Sequence, residues 1–287
     1  YNMIGYCYSA LGDFAKAAQA FERQAELNPG LPNPLDSMAE MYLYQGNLDQ
    51  AAAKYREALA LKPDFYASCT GLAYVYALKE DYPESGRWLE EFVKRAPTPQ
   101  AKTEGYYLGD LYDYLLGRLD RSLSGFLALR DLGEKAGFAL GVALVDRMMG
   151  FLFADSGEFD RAQKAFQGWM DYNEKDNPTN PSFFAADRAF LLGWVELKQG
   201  RPEGAKAPLA EIKTLLPKLS PADQRDIVWR SQLLIAEAAL AENSVDQAIA
   251  IGEKIDFGTM QGVNTDIMSR FNSPFQKDVL ARAYWKK

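Results

Sequence analysis

Two stretches of the sequence share one pattern at a distance of 34 residues. YSALGDFAKAAQAFERQAELNP runs from Tyr8 to Pro29, and YLYQGNLDQAAAKYREALALKP runs from Tyr42 to Pro63. Each contains an aromatic segment, a Gly-Asp or Gly-Asn pair, an alanine-rich segment and a closing proline. Apolar residues recur at helical spacing on both sides of the pair, and glycine followed by Asp or Asn is typical of one helix ending and another beginning. The stretch therefore predicts a repeated helix–turn–helix unit.

The turn signal continues along the chain. Successive spacings are 34, 34, 37, 40, 43 and 43 residues, and the positions are Gly12, Gly46, Glu80, Gly117, Gly157, Gly200 and Asn243. A period of 34 residues with two helices per repeat is the signature of a tetratricopeptide array. The later repeats are longer than the first three, so we expect them to depart from the regular pattern.

Specific columns carry this resemblance. In the second copy they are Leu35, Met38, Ala39, Tyr42, Ala51, Tyr55, Ala58 and Pro63. The first copy has Tyr1, Ile4, Gly5, Tyr8, Ala17, Phe21, Gln24 and Pro29, and the third has Cys69, Leu72, Ala73, Tyr76, Ser85, Leu89, Phe92 and Pro97. In these columns the sequence resembles the tetratricopeptide-repeat family over nearly its whole length, most specifically in the first three copies.

The resemblance implies an all-α fold, a right-handed α-solenoid of stacked helix–turn–helix repeats. A small residue in the first helix lets the second helix approach closely, and one helical pair cannot bury its apolar face alone, so pairs must stack. We expect regular repeats over 1–132, longer and degenerate repeats over 133–255, and an irregular loop followed by the first helix of a further repeat over 256–287. Leu280, Ala281 and Tyr284 match that first helix, which suggests a fragment of a longer protein.

The periodicity predicts a helical pair for each repeat. The expected ranges are 1–11 and 14–27, 34–45 and 48–61, 66–79 and 82–95, 100–116 and 119–132, 137–156 and 159–174, 183–199 and 202–216, and 222–242 and 245–255. The stretch 176–182 is rich in Asn and Pro and predicts a loop between pairs.

Composition excludes several kinds of function. The chain has 287 residues, no histidine and a net charge of -7. The lack of histidine removes the usual general base and the commonest metal ligand, and an acidic chain is poorly suited to nucleic acid. Cys7 and Cys69 form no CxxC motif, and phosphate-loop and nucleophile-elbow motifs are absent from the sequence. We therefore expect no catalytic residues, no cofactor and no metal site. No apolar run reaches the length of a membrane span, and a cytoplasmic location is favoured.

The first helices of the first four pairs have an unusual composition. Segments 1–11, 33–45, 66–78 and 103–116 contain no Lys or Arg but hold 12 of the 16 tyrosines. In the family, first helices form most of the inner groove. The columns that face this groove would place there Tyr6, Asp36, Glu40, Tyr44, Thr70, Tyr74, Tyr106, Asp110, Asp113 and Tyr114.

These columns support two interpretations. In one, tyrosine simply suits the scaffold and the charges avoid one another. In the other, an acidic, tyrosine-lined groove binds a basic or neutral extended peptide, because tyrosine supplies rigid contact area and a hydroxyl. Members of the family that bind a terminal carboxylate use Lys, Asn and Arg in the groove, and those columns here are mostly Tyr, Asp and Glu, so a carboxylate clamp is not expected.

The function that the sequence favours is a non-catalytic scaffold for protein–protein interaction. The alternative is a regulatory or sensor segment of a larger signalling protein, such as a kinase, a cyclase or a transcription regulator. In the second half the groove columns are mixed, and this half either binds differently or packs against another domain.

Overall fold

The computed structural model describes residues 1–176, 179–255 and 274–287. In these ranges the fold is all-α, as predicted, with no β-strand. We number the helices α1 Asn2–Ala10, α2 Phe14–Leu27, α3 Asn33–Tyr44, α4 Leu48–Leu61, α5 Ala67–Leu78, α6 Tyr82–Arg95, α7 Pro99–Leu115, α8 Leu119–Ala136, α9 Ala139–Asp155, α10 Phe159–Asp176, α11 Pro181–Lys198, α12 Lys206–Leu215, α13 Pro221–Ala241, α14 Val245–Gly252 and α15 Pro274–Lys286.

The turns within the pairs form as the sequence predicts. Gly46 adopts a φ of +74°, in the left-handed region that ends a helix, and the next helix begins two residues later. In the first pair the Asp13 side chain accepts a hydrogen bond from the backbone N–H of Lys16 at 3.2 Å, which caps the second helix. The predicted ranges 14–27, 48–61 and 82–95 are confirmed as α2, α4 and α6.

The helix predicted over 202–216 is shorter than expected. Residues Pro202–Ala205 form a 3-10 turn, α12 covers Lys206–Leu215, and a second 3-10 turn follows at Leu216–Lys218. Pro208 has no backbone N–H and therefore cannot donate to the carbonyl of Gly204. A continuous α-helix from 202 is disfavoured for this reason, and Pro208 lies instead in the first turn of α12.

Helices pack through a large aromatic ring of one helix against a glycine of another. A Cβ atom placed on Gly5 of α1 would lie 2.4 Å from the Phe21 ring of α2. On Gly71 of α5 it would lie 2.1 Å from the Tyr55 ring of α4, which belongs to the preceding pair. Contacts of this kind occur both within a pair and between neighbouring pairs, so the same device builds the pair and stacks it on the next.

The described residues form two compact units. The first unit contains residues 1–109, and the second contains residues 110–255 and 274–287. The predicted division of the repeats at 132/133 concerns their regularity and stays a prediction. The predicted irregular loop that begins at 256 falls on residues 256–273, which lie outside the described residues. Residues 177–178 of the predicted loop 176–182 lie outside them as well.

The terminal helix that the sequence predicts is present as α15, which packs against α13 and α14. Its buried residues are Val279 and Ala283, whereas Tyr284, which matches a family packing column, is about half exposed. The hydroxyl of Tyr284 donates to Glu253. Tyr284 is therefore not packed in the described structure, although it stands in a family packing column.

A buried ion-pair network joins three first helices in the second unit. Asp187 of α11 is 1% exposed and receives hydrogen bonds from Arg147 of α9 at 3.1 Å, from Arg230 of α13 and from the indole N–H of Trp169 at 2.7 Å. Burial acts to raise the pKa of Asp187, but the two guanidinium groups and the hydrogen bonds outweigh it and the pKa is lowered. The carboxylate is therefore ionised and fully used in joining these helices.

One turn position offers a stability test. Glu80 takes the place of the turn glycine with a φ of +61°, a conformation that costs an L-residue about 1–2 kcal/mol. We expect Glu80→Gly to raise the free energy of unfolding by about 0.5–1 kcal/mol in urea titration, because glycine removes the strain but adds unfolded-state entropy. Gly46→Ala should have the opposite effect, and a loss of stability in Glu80→Gly would contradict the assignment.

The Asp187 network predicts a large loss of stability. Asp187→Ala removes the buried carboxylate shared by the partly buried guanidinium groups of Arg147 and Arg230, so we expect the free energy of unfolding to fall by about 3–5 kcal/mol. Asp131→Ala is the matched control, since Asp131 makes only an exposed pair with Lys135 and should cost less than about 1 kcal/mol. Similar losses in the two variants, measured by chemical denaturation, would show that the network is not a stabilising element.

Candidate functional site

Glu40 lies between two tyrosines in the first unit. The hydroxyl of Tyr6 on α1 donates to Oε2 of Glu40 at 2.7 Å, and the hydroxyl of Tyr44 donates to Oε1. Asp36, Glu40 and Tyr44 are spaced four residues apart on α3, so they lie along one face of that helix. Four of the predicted residues therefore lie close together. We call Tyr6, Asp36, Glu40 and Tyr44 the acidic tyrosine surface.

Packing and hydrogen bonds hold Tyr6 in this position. Its ring meets the ring of Phe21 edge-on, with the centroids 5.3 Å apart. Its hydroxyl oxygen also lies 3.1 Å from Oγ of Ser37, which receives a hydrogen bond from the amide of Asn2 at 3.0 Å. Burial, reinforced by the charge of Glu40, raises the pKa of Tyr6. The phenol therefore stays protonated and acts as a donor.

Asp36 is the second carboxylate of the surface. Its Oδ1 accepts a hydrogen bond of 2.5 Å from the hydroxyl of Ser68 on α5. Burial raises the pKa of Asp36 to about 6, with a further contribution from Glu40, while the Ser68 hydrogen bond acts in the opposite direction. Asp36 consequently gains its negative charge near pH 6, because its pKa lies well above that of an ordinary aspartate.

The acidic tyrosine surface holds no basic side chain. Within the described part of the first unit, neither Asp36 nor Glu40 forms an ion pair with Lys or Arg. Other carboxylates of this unit do, for example Asp49, which bonds Lys79 of another helix. Among the described residues, the negative charge of this surface is therefore not neutralised by a cation.

The remaining candidates of the first unit differ in exposure. Thr70 is half-buried and Tyr106 is 50% exposed, so both are accessible to a ligand. Tyr74 is only 7% exposed and belongs to the buried core. Helical periodicity gives the face on which Tyr74 lies but not how deeply neighbouring helices cover it.

Three further candidates lie in the second unit. Asp113 is buried and forms ion pairs with Arg118 at 3.1 Å and with Arg121 at 2.8 Å. Tyr114 is buried, and its hydroxyl donates to Asp155 at 2.5 Å. These two residues are used in packing and not presented to a ligand.

Asp110 is half-buried and faces Gly125 of α8, where a Cβ atom would lie 1.9 Å from its carboxylate. Burial raises the pKa of Asp110 to about 7, and the charge of Asp113 adds to this effect while Arg121 opposes it. The missing side chain at position 125 leaves the space that this carboxylate occupies, so Asp110 is built into the contact between α7 and α8.

Sequence reasoning missed the serines of the site. Ser37 and Ser68 are fully buried. The hydroxyl of Ser37 is hydrogen-bonded to that of Tyr6, and the hydroxyl of Ser68 donates a hydrogen bond to Asp36. In the repeat pattern each reads as a small residue where helices approach. A signal was nevertheless present, since a buried serine needs a hydrogen-bond partner and Ser37 directly follows a groove column.

The described ranges contain neither a cluster of metal ligands nor a membrane-spanning helix. No three His, Cys, Asp or Glu side chains in these ranges are placed to hold a metal ion. None of the helices described has the length and hydropathy of a membrane span.

Comparison with protein families confirms the repeat in the first part of the chain. Two family models described as "Tetratricopeptide repeat" match residues 1–31 and 37–100. The photosystem I assembly protein Ycf3 of Rippkaea orientalis (strain PCC 8801 / RF-1) is 31% identical over 93 residues, which are 31% of this chain and 50% of that protein. The match thus spans half the length of this relative.

Solved structures share the fold at low sequence identity. A tetratricopeptide repeat protein from Parabacteroides merdae ATCC 43184 has a TM-score of 0.62 at 17% identity, covering 98% of this chain and 96% of that one. The Cut9–Hcn1 hetero-tetramer of APC/C has a TM-score of 0.56 at 15% identity, covering 99% of this chain and 48% of the other. The predicted solenoid class is confirmed by this likeness, and residues 1–31 and 37–100 match the tetratricopeptide-repeat family.

Proposed function

We propose that this protein is a non-catalytic scaffold that binds an extended, basic or neutral segment of a partner protein on the acidic tyrosine surface. Tetratricopeptide folds generally mediate protein–protein interaction, and one structure of similar fold is described as a hetero-tetramer. Those comparisons support only the general role. The specific partner chemistry rests on the residues of the first unit.

The observation that carries the proposal is a pair of carboxylates, Asp36 and Glu40, for which the described residues supply no basic partner. Each oxygen of Glu40 receives one phenol hydroxyl, and a carboxylate oxygen has a further lone pair for a second donor. An arginine of a bound segment can donate to these oxygens while its planar group stacks on a tyrosine ring. Thr70 and Tyr106 would then contact flanking residues of the same segment.

The phenols also prepare the site for binding. Tyr6 and Tyr44 fix the position of the Glu40 carboxylate before a ligand arrives, so less side-chain entropy is lost on binding. Hydrogen bonds from neutral hydroxyls leave the negative charge in place, whereas an internal lysine or arginine would cancel it. A cationic ligand therefore meets a fixed and uncompensated carboxylate.

Glu40→Gln tests the proposal directly. The probe is an acetylated and amidated dodecapeptide of repeated Gly-Arg-Pro-Ala units, and the control peptide carries Glu in place of Arg. We expect the basic peptide to bind and Glu40→Gln to weaken it about tenfold or more in titration calorimetry, because a charged hydrogen-bonded pair is lost. The acidic peptide should not bind the first unit.

Glu22→Gln is the matched variant, since Glu22 is exposed on the second helix of the first pair and its loss changes the net charge equally. It should alter the affinity for the basic peptide less than about twofold. Equal weakening by Glu22→Gln and Glu40→Gln would mean that the peptide responds to overall charge only, and the acidic tyrosine surface would not be the binding site.

Binding of the basic peptide should depend on pH through Asp36. A carboxyl group is neutral below its pKa, so Asp36 gains its negative charge as the pH rises through about 6. We expect the affinity to increase about five- to tenfold between pH 5 and pH 7, and Asp36→Asn to abolish most of this increase. The groups that face Asp36 are Glu40, Tyr6, Tyr55 and Ser68, and the variant isolates Asp36 among them. A pH profile unchanged by Asp36→Asn would refute this role.

A further inference from the structure

The second unit contains a cavity that none of the predicted site residues lines. It lies between α11, α13 and α15 and has a volume of about 620 Å³, within the range of pockets that hold ligands. Its apolar wall includes Trp194, Leu197, Leu240 and Ala281, and Trp285 stands at its edge. We call this the α15 pocket. Its wall is suited to an apolar side chain.

The charged residues of the pocket differ from those of the acidic tyrosine surface. Lys198, Arg282 and Lys286 line it together with one carboxylate, Glu237. Glu237 is buried and bonds Arg282, which also bonds Asp278 at 2.7 Å. The one acidic group of the lining is therefore already neutralised by a guanidinium group.

Lys286 differs from the other two basic residues of the lining. Lys198 pairs with Asp155 at 2.7 Å and lies 4.8 Å from the centroid of Trp194. The ammonium group of Lys286, by contrast, forms no ion pair with a carboxylate in the described ranges, and its polar contact is the carbonyl of Leu240 at 3.4 Å. The pocket thus combines an apolar wall with the ammonium group of Lys286, for which the described residues supply no carboxylate partner.

Trp285 adds an exposed aromatic surface beside this charge. It is 91% exposed, whereas Val279 and Ala283 form the buried face of the same helix. Trp285 is consequently not needed to pack α15 in the described structure. Tryptophan next to a cation is characteristic of binding hot spots, because it offers a large apolar area and few rotatable bonds.

We propose that the α15 pocket binds a peptide segment in which a large apolar side chain is followed or preceded by an acidic residue. The apolar side chain enters the cavity against Trp194 and Leu240, and the carboxylate pairs with Lys286 beside Trp285. This preference is opposite in charge to that of the first unit. The two units would therefore select different segments, and this inference does not depend on the proposed function of the acidic tyrosine surface.

The probe is a fluorescein-labelled, C-terminally amidated peptide of sequence Asp-Glu-Phe-Leu-Glu-Asp, and binding is measured by fluorescence polarisation with the full chain. We expect the peptide to bind, and Lys286→Glu and Trp285→Ala each to reduce the affinity about tenfold or more. Both side chains project from the exposed face of α15, so the variants should keep the circular dichroism spectrum of the parent. A peptide with Lys in place of each acidic residue should not compete.

Lys254→Glu is the matched control, because Lys254 is exposed in the same unit and does not line the cavity. It should leave the affinity for the acidic peptide within about twofold, and so should Glu40→Gln in the first unit. The proposal is overturned if Lys254→Glu weakens binding as much as Lys286→Glu, or if the acidic peptide does not bind. It is also overturned if sedimentation shows that Trp285→Ala dissociates a homodimer, since a second copy would then occupy the pocket.

Discussion

Close contact between an aromatic ring and a glycine backbone is the constraint on which this fold depends. Tyr55 is almost completely buried, and its ring lies where the Cβ of any other residue at position 71 would have to be. Phe21 with Gly5 and Phe166 with Gly150 repeat the arrangement in other pairs. Because the backbones approach this closely, the first helices are aligned side by side, and residues 31 to 43 positions apart in sequence can form hydrogen bonds.

That alignment explains how the same helices carry two kinds of polar contact. In the first unit, phenols bond to carboxylates and leave their charge in place, as at Glu40. In the second unit, arginines bond to the buried Asp187 and neutralise it. In the first arrangement the carboxylate keeps its negative charge, which we propose is used by a ligand. In the second, the ion pairs link neighbouring helices. One repeat geometry thus supports two kinds of polar contact, the second of which links helices and the first of which we propose for recognition.

Much of this structure follows from the repeat alone. The limits of α2, α4 and α6 were predicted because the repeated turn, Gly-Asp, Gly-Asn or Glu-Asp, fixes where a second helix begins. Tyr6 and Glu40 were both assigned to groove columns, but their hydrogen bond was not itself predicted. The extent of burial of each side chain was not predictable. Periodicity gives the helix face on which a residue lies but not how far neighbouring helices cover it, and Tyr74, Asp113 and Tyr114 are buried. The α-helix predicted from 202 begins only at Lys206, close to Pro208, which shows that one missing donor outweighs a favourable pattern.

The contact between Tyr55 and Gly71 also has a consequence for how this sequence can change over time. A larger residue at position 71 is acceptable only when the ring at position 55 becomes smaller, and neither change is tolerated by itself. The two positions are therefore expected to vary together among related chains, with their combined volume held nearly constant. Covariation between neighbouring repeats, more than the conservation of either residue, would then be the evolutionary record of how the helices stack.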